Sequence, residues 1–535
     1  MALSLGSGEL VSEREQLLAA ARAVALALAR DAIRTTTLGR ERAILRLLGV
    51  DGLDREGRPL AAEVVDRFVS GDPGRLAVGI GLPFAAALLE YETTPQLLAL
   101  DVAAGTIDLA LEAELLETPE RLAAATDHLA SLLAGAIDQV DANRVARREL
   151  LDVLGDVDPP RIGTSLRSPE IEGAERDATA LVAGGLDVLL VEVPVIRELA
   201  TRLGLLGQVT GWRPRDLAAE DGPVPAGSQR GLARLRAALD EAAAARGAYV
   251  RLIIAPNALA GPEAAVVAAL ERVDILDLDP MTDIVVTGVD PQRALMDFAF
   301  AVRVARRAGV AVLLDAGPLV VAPDLSTGLN ADSATRSGRA LALQLIAATL
   351  ATEEGLPADQ LLIGVIPGWL TGEPDSAPRA AAEVALRRAL LAAHPMAFVE
   401  PADEVSAEWP AIVAAIQPGK GVDLILRRAP GSTDTAIRDA AEARSASEVA
   451  RDLESSLSAR HLEGVARDHA KRALAAAIAT VRRIQEDGWV GITGTATTTG
   501  AEAPMGAWGS LGAESLAPAS NASDIVERAL AEGNA

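Results

Sequence analysis

Between residues 160 and 400, short apolar runs alternate with amphipathic helices, and this alternation constrains the fold more than any other feature of the chain. The strand-like runs are Arg161–Leu166, Leu186–Val193, Tyr249–Ala255, Val273–Leu278, Val310–Asp315, Leu361–Ile366 and Ala397–Glu400. Helical stretches such as Gly231–Ala245, Pro262–Arg272, Pro291–Arg307 and Ala334–Thr352 lie between them. Strands that alternate with helices imply βαβ units and a parallel sheet. Seven or so units at this spacing fit a (β/α)8 TIM-type barrel better than an open Rossmann sheet. No G-x-G-x-x-G follows any run, and Gly419-Lys420-Gly421 lacks the flanking residues of a phosphate-binding P-loop.

The flanks read differently. Apolar residues recur at helical spacing in Glu15–Ile33, Ala61–Val69, Pro83–Glu90, Thr94–Ala103 and Thr118–Arg147. Helical periodicity returns across Thr433–Glu486. The expected organisation is an N-terminal helical region (1–150), the barrel (151–402), a C-terminal helical extension (403–490) and a flexible Gly/Thr/Ala-rich tail with a short terminal helix (491–535).

Composition narrows the function. The net charge of -25 argues against nucleic acid, whose phosphates repel such a surface. With no Cys, thiolate metal sites and cysteine nucleophiles are excluded. No uninterrupted apolar run reaches membrane-spanning length, and the first residues lack the order of a signal peptide, so a cytoplasmic protein is expected. The four histidines, His128, His394, His461 and His469, show no metal-ligand spacing, and exposed or capping roles are expected for them.

Barrel chemistry sits at the C-terminal ends of the strands. Those ends carry Glu192, Asn257, Asp277, Asp279, Thr282, Asp283 and Asp315. Carboxylates there can accept protons, grip an ammonium group or hold a metal. The run from Asp274 to Asp283 is the densest, although its plainer reading is alternation along a strand followed by a turn with solvated acids.

The stretch Arg46-Leu47-Leu48-Gly49-Val50-Asp51-Gly52-Leu53-Asp54-Arg55-Glu56-Gly57-Arg58-Pro59-Leu60 resembles a signature near the N-terminus of the lysine 5,6-aminomutase α subunit. Collinear matches follow at Ala142-Asn143-Arg144, Ala238-Leu239-Asp240-Glu241, Tyr249-Val250-Arg251-Leu252, Pro262-Glu263, Ala269-Leu270-Glu271-Arg272 with Asp274, and Gln292-Arg293. The resemblance covers roughly residues 35 to 400. It implies a (β/α)8 barrel that holds pyridoxal phosphate and a small amino-acid substrate. A small Rossmann-type β subunit supplies adenosylcobalamin and the Schiff-base lysine, giving a hetero-oligomer that moves an amino group between adjacent carbons of lysine or β-lysine. The absence of D-x-H-x-x-G and the presence of only two lysines, Lys420 and Lys471, agree with cobalamin being held by the partner.

The implied cofactor pocket is altered. The family's phosphate-binding arginine falls on Val193, with Arg197 four residues further on. Its strand-end serine falls on Asn257, and its stacking tyrosine on Thr282. Asp315 completes the implied pocket. A valine cannot form the bidentate phosphate contact of an arginine. Two function classes therefore stand: an aminomutase subunit, or a catalytically inactive barrel paralogue with a binding or structural role. A third is an unrelated barrel enzyme using its acidic strand ends for metal-assisted chemistry.

Overall fold

The computed structural model describes residues 8–32, 35–52, 59–70, 72–192, 224, 226–256, 259–285, 289–315, 332–365, 376–400, 409–416, 421–428, 432–453, 460–489, 516–518 and 521–531. The N-terminal region contains α1 (Gly8–Ala32), β1 (Thr35–Thr37), α2 (Leu38–Leu47), α3 (Leu60–Val69), α4 (Gly81–Tyr91), α5 (Pro95–Ala104), α6 (Leu109–Leu115) and the long α7 (Pro119–Leu154). Eight parallel strands then close a barrel: β2 (Arg161–Ser165), β3 (Val188–Glu192), β4 (Arg251–Ala255), β5 (Ile275–Asp277), β6 (Ala311–Leu314), β7 (Leu361–Val365), β8 (Met396–Glu400) and β9 (Leu424–Arg427). Each strand pairs with the next in sequence, and β2 closes on β9 with Gly163 opposite Leu426 and Thr164 opposite Arg427.

Around the barrel lie α8 (Ile171–Ala183), α9 (Gln229–Arg246), α10 (Gly261–Leu270), α11 (Pro280–Val285), α12 (Pro291–Ala308), α13 (Ser333–Glu353), α14 (Ser376–Leu390) and α15 (Trp409–Ile416). The C-terminal part adds α16 (Thr433–Leu453), α17 (Arg460–Asp487), β10 (Leu516–Pro518) and α18 (Asn521–Ala531). Val188, Leu190, Ile253, Ile275, Leu313, Leu362, Ala397, Val399, Leu424 and Leu426 fill the barrel's centre. A second, larger apolar cluster lies between strands and helices. Strands buried on both faces read as continuous apolar runs, which is why seven of them are visible in the sequence.

Three features differ from the sequence expectation. The eighth strand, β9, lies beyond residue 402, inside the segment expected to be helical. Its run, Leu424-Ile425-Leu426, is short and bounded by Asp423 and two arginines, so it carries little pattern of its own. The N-terminal region is not purely helical, because β1 forms an antiparallel pair with β10. That pairing also gives regular structure to part of the tail expected to be flexible. Finally, two histidines are buried rather than exposed: His469, whose Nε2 pairs with Glu383, which also accepts bonds from Ser337 and Arg387, and His394, whose Nδ1 lies 3.1 Å from the Ala358 carbonyl.

The N-terminal helices are attached through buried ion pairs. In α2 every residue from Gly39 to Leu47 is buried, although four of them are charged. Each finds a partner. Arg40 meets Glu527 at 2.7 Å, Arg42 meets Asp66 at 3.0 Å, and Arg46 meets Glu263 at 2.7 Å. Glu41 accepts from Thr36 Oγ1 and from the Ile80 amide at 2.7 Å. The signature stretch thus anchors α2 to α10. It turns at Gly49 (φ 92°) and Gly52 (φ 79°), where left-handed backbone favours glycine. Gln96 clamps the Asp51 backbone with bonds of 3.0 and 2.9 Å.

Helix α7 is fastened to the base of the barrel. Asn143 donates to the carbonyls of Ala269 and Leu270 at the end of α10. Arg147 reaches the carbonyls of Val273, Ala308 and Gly309 and the carboxylate of Asp274. Asp274 also accepts from Arg236 (3.1 Å), the Tyr249 hydroxyl (2.7 Å) and the Leu252 amide (2.8 Å). Removing one member of a buried charged group leaves the others unpaired, at a cost of about 3–5 kcal/mol. Asp274→Ala is therefore expected to destabilise the chain by about that amount in urea unfolding, against about 1 kcal/mol for Tyr249→Phe, which removes a single hydrogen bond. Equal midpoints for Asp274→Ala and wild type would show that the junction contributes nothing.

Candidate functional site

The alternation of side chains along each strand sets which residues enter the barrel mouth. Leu190, Ile253, Ile275, Leu313 and Leu426 face the centre. Two residues on, toward the C-terminal end, come Glu192, Ala255, Asp277, Asp315 and Arg428. These residues follow the apolar plug toward the mouth at staggered positions, since Asp277 is opposite Leu313 in the ladder and Asp315 lies two residues further on.

Arg428 joins two of them together. Its Nη2 meets the carboxylates of both Asp277 and Asp315, the latter at 2.6 Å. Arg427, one residue earlier, points the other way and pairs with Asp439 on α16. The Arg427 carbonyl accepts from Thr164 Oγ1 at 3.1 Å, fixing β9 against β2. Gly364 on β7 lets the strand pass close to β6, since a Cβ there would stand 2.7 Å from the Leu314 carbonyl and 3.0 Å from Asp315 Cα. A larger residue at 364 would displace the backbone that carries Asp315.

The electrostatics are those of acids crowded in a dry site. Burial pushes the Asp277 carboxyl up to about 8, with the charges of Asp315 and Asp279 adding and Arg428 opposing. Arg428 is partly desolvated, yet Asp315, Asp277, Glu192 and Asp279 together hold its guanidinium more firmly charged than usual. Asp283 is pushed up to about 7, first by burial and then by Asp297 on α12. It therefore belongs with the helix layer, where Asp297 pairs with Arg293 at 2.5 Å. The described mouth carries Glu192, Asp277, Asp279 and Asp315 against one arginine. Such a site suits an ammonium-bearing ligand, with Arg428 available to a carboxylate.

Of the pocket positions expected from sequence, Asp315 lies in this cluster. Val193, Arg197 and Asn257 lie outside the described residues. Thr282 belongs to α11, with its side chain also outside the description. Arg428 was not foreseen, because the reading stopped at seven strands. Once β9 is recognised, the period-two step from Leu424 and Leu426 leads directly to it. Among the described residues no group of three or more His, Cys, Asp or Glu could hold a metal.

Residues 10–408 match the family described as the D-lysine 5,6-aminomutase TIM-barrel domain of the alpha subunit. The chain is similar to the lysine 5,6-aminomutase alpha subunit of Acetoanaerobium sticklandii, 28% identical over 350 residues, which are 65% of this chain and 63% of that one. The corresponding Fusobacterium nucleatum subunit is 30% identical over 335 residues, 62% of this chain and 60% of that one. The aligned part thus spans less than two thirds of either relative's length. A dihydropteroate synthase from Anaplasma phagocytophilum overlaps 55% of this chain and 98% of its own at 13% identity, with a TM-score of 0.33, too loose to carry an argument. The family match ends before β9, so Arg428 lies beyond it.

The raised Asp277 makes stability depend on pH. Its folded value of about 8 lies above the ordinary 3.8. Between these values the folded chain keeps a proton that the unfolded chain has lost, so stability falls as pH rises through the window. The melting temperature of wild type is expected to drop more between about pH 5 and 8 than that of Asp277→Asn. Parallel pH profiles for the two proteins would show that Asp277 does not titrate in that range.

Proposed function

The chain belongs to the lysine 5,6-aminomutase α-subunit family, and from that membership we propose that it is the barrel subunit of an aminomutase. Its reaction is the shift of an amino group between adjacent carbons of lysine, β-lysine or a related amino acid. One observation supports a ligand of this chemistry: Arg428 is set between Asp277 and Asp315 at the barrel mouth. An amino acid with two amino groups brings ammonium for the carboxylates and carboxylate for the guanidinium. In this reading Asp277 and Asp315 orient the ammonium and Arg428 orients the carboxylate. The apolar plug beneath them excludes water from below.

The family resemblance also brings pyridoxal phosphate and adenosylcobalamin into the reading. The described mouth does not fit the phosphate of the first. A phosphate dianion placed there meets Glu192, Asp277, Asp279 and Asp315 against a single arginine, whereas a ligand carboxylate arrives with ammonium groups of its own. A phosphate seat has to come from strand-end residues outside the description, where Arg197 is the candidate cation. Cobalamin belongs to the partner: this chain has no D-x-H-x-x-G, and its lysines lie ahead of β9 (Lys420) and on α17 (Lys471). We place the working protein in the cytoplasm as a hetero-oligomer with a small Rossmann-type cobalamin subunit. No helix among the described residues is long and apolar enough to cross a membrane.

The mouth also supports the alternative of an inactive paralogue. Arg428 already bridges the two aspartates, so the cluster holds together without a ligand. The experiment that separates the readings uses the chain together with its cobalamin subunit and both cofactors. Migration of a ¹⁵N-labelled amino group on lysine and β-lysine is followed by NMR. Turnover by the complex, none by the isolated chain, and a loss of about tenfold or more in kcat/KM for Asp315→Asn are expected, one charge-assisted contact being worth about 1.5–3 kcal/mol. A cofactor-loaded wild-type complex that moves no amino group would leave the inactive paralogue as the reading.

A further inference from the structure

The helices farthest from the base of the barrel leave large apolar side chains in water. Leu89 and Tyr91 at the end of α4, Leu111 and Leu115 on α6 and Leu122 at the start of α7 are between 39% and 57% exposed. They belong to one place. The Tyr91 hydroxyl lies 3.5 Å from Glu112, and Arg121 reaches Glu112 at 2.8 Å and Glu90 at 3.3 Å. Leu111 and Leu115 stand one helical turn apart on one face. Isolated exposed leucines need no explanation, but several on adjoining helices with an exposed tyrosine among them are the pattern of a protein contact.

The chain that forms the shelf is mostly acidic, although Arg67 of α3 stands beside Gly105 at the turn before α6. From residue 76 to 143 there are eleven acidic residues and one basic residue, Arg121, which is already engaged by Glu112 and Glu90. Glu90, Glu92, Asp108, Glu114, Glu117 and Glu120 are exposed around the leucines. A second copy of the same face would bring like charges together.

The shelf also stands on the side of the mouth. Asn143 of α7 caps the base end of α10, while Arg46 of α2 binds Glu263 near the opposite end. Leu129 packs at the level of α2 and α4, against Gly81 and Ile44. From Asn143 up to Leu122 the helix rises about 30 Å, roughly twice the length of α10, at 1.5 Å per residue.

We propose that this shelf, Leu89, Tyr91, Leu111, Leu115 and Leu122 within an acidic rim, is the docking face for a non-identical protein whose contact surface is apolar at the centre and ringed by arginine or lysine. The inference rests on the reading that the chain works with a partner subunit, and it names the surface that holds that partner. An apolar centre supplies affinity, and opposite rims steer the encounter and make it sensitive to salt.

The test uses the full chain and its cobalamin subunit in a binding titration. Leu111→Glu combined with Leu115→Glu should weaken binding tenfold or more, and both positions are exposed enough for the fold to survive, as melting and circular dichroism will verify. Glu114→Lys with Glu117→Lys should weaken it too, while keeping the apolar centre intact. Val153→Glu, an equally drastic change at the far end of α7, should leave it unchanged. Raising salt should weaken the wild-type complex. If wild type binds and the double leucine variant binds equally well, the surface assignment falls while the partner reading stands. If wild type does not bind the subunit at all, the partner reading falls and the surface with it. Concentration-dependent self-association of wild type that the leucine variant abolishes would overturn the proposal in favour of a second copy.

Discussion

Asp274 is the point through which the helical region and the barrel hold each other. Its two carboxylate oxygens serve Arg147 from α7, Arg236 from α9, the Tyr249 hydroxyl and the Leu252 amide. Burying a carboxylate this deeply is costly unless its lone pairs are taken by donors, and here two of the four donors are cationic. The joint therefore carries geometry as well as energy. It fixes the angle at which α7 leaves the barrel base, and through α7 the height at which α4, α6 and their exposed leucines stand. The Arg147 bonds to the carbonyls of Val273, Ala308 and Gly309 tie the same helix to the starts of β5 and β6, the strands that deliver Asp277 and Asp315 to the other end.

The two ends of the barrel treat their acids in opposite ways. At the base, Asp156 is gripped by Arg161 and Arg251, and its carboxyl is held well below the usual range in spite of partial burial. At the mouth, Asp277 shares Arg428 with Asp315 and is pushed upward by burial. Satisfied acids are structural fixtures, whereas acids held in excess over their counter-charges store a preference for further positive charge. The asymmetry sets the chemistry at the C-terminal mouth, where the barrel's strand ends can meet a ligand.

The barrel was legible in the sequence because buried parallel strands leave continuous apolar runs that stand out between amphipathic helices. Seven strands could be read this way, and Asp315 could be placed at a strand end. The eighth could not, since Leu424-Ile425-Leu426 is three residues long and leads into Arg427 and Arg428. Missing it concealed the one cation of the described mouth. The β1–β10 pair was equally hidden, because Thr35–Thr37 and Leu516–Pro518 are far apart in the chain and neither run has a strand pattern of its own. Nor does composition reveal that α2, with three arginines and a glutamate, is buried. That requires knowing that Glu527, Asp66 and Glu263 arrive from other elements to meet it.

If the mouth takes the ammonium group proposed above, the raised Asp277 would link its binding to proton release. At neutral pH the group is largely neutral, so the Arg428–Asp315 pair is nearly balanced. An ammonium entering beside Asp277 favours its ionised form and lowers its pKa. The incoming cation then expels a proton, and its affinity rises with pH until Asp277 is ionised in the free protein as well. A carboxylate ligand placed on Arg428 would act in the reverse sense, drawing the guanidinium away from Asp277 and raising that group's affinity for protons. A zwitterionic diamine acid engages both halves of the cluster at once, so the two proton effects oppose each other. The proton released or taken up on binding would therefore differ between a ligand carrying both charges and one carrying either alone.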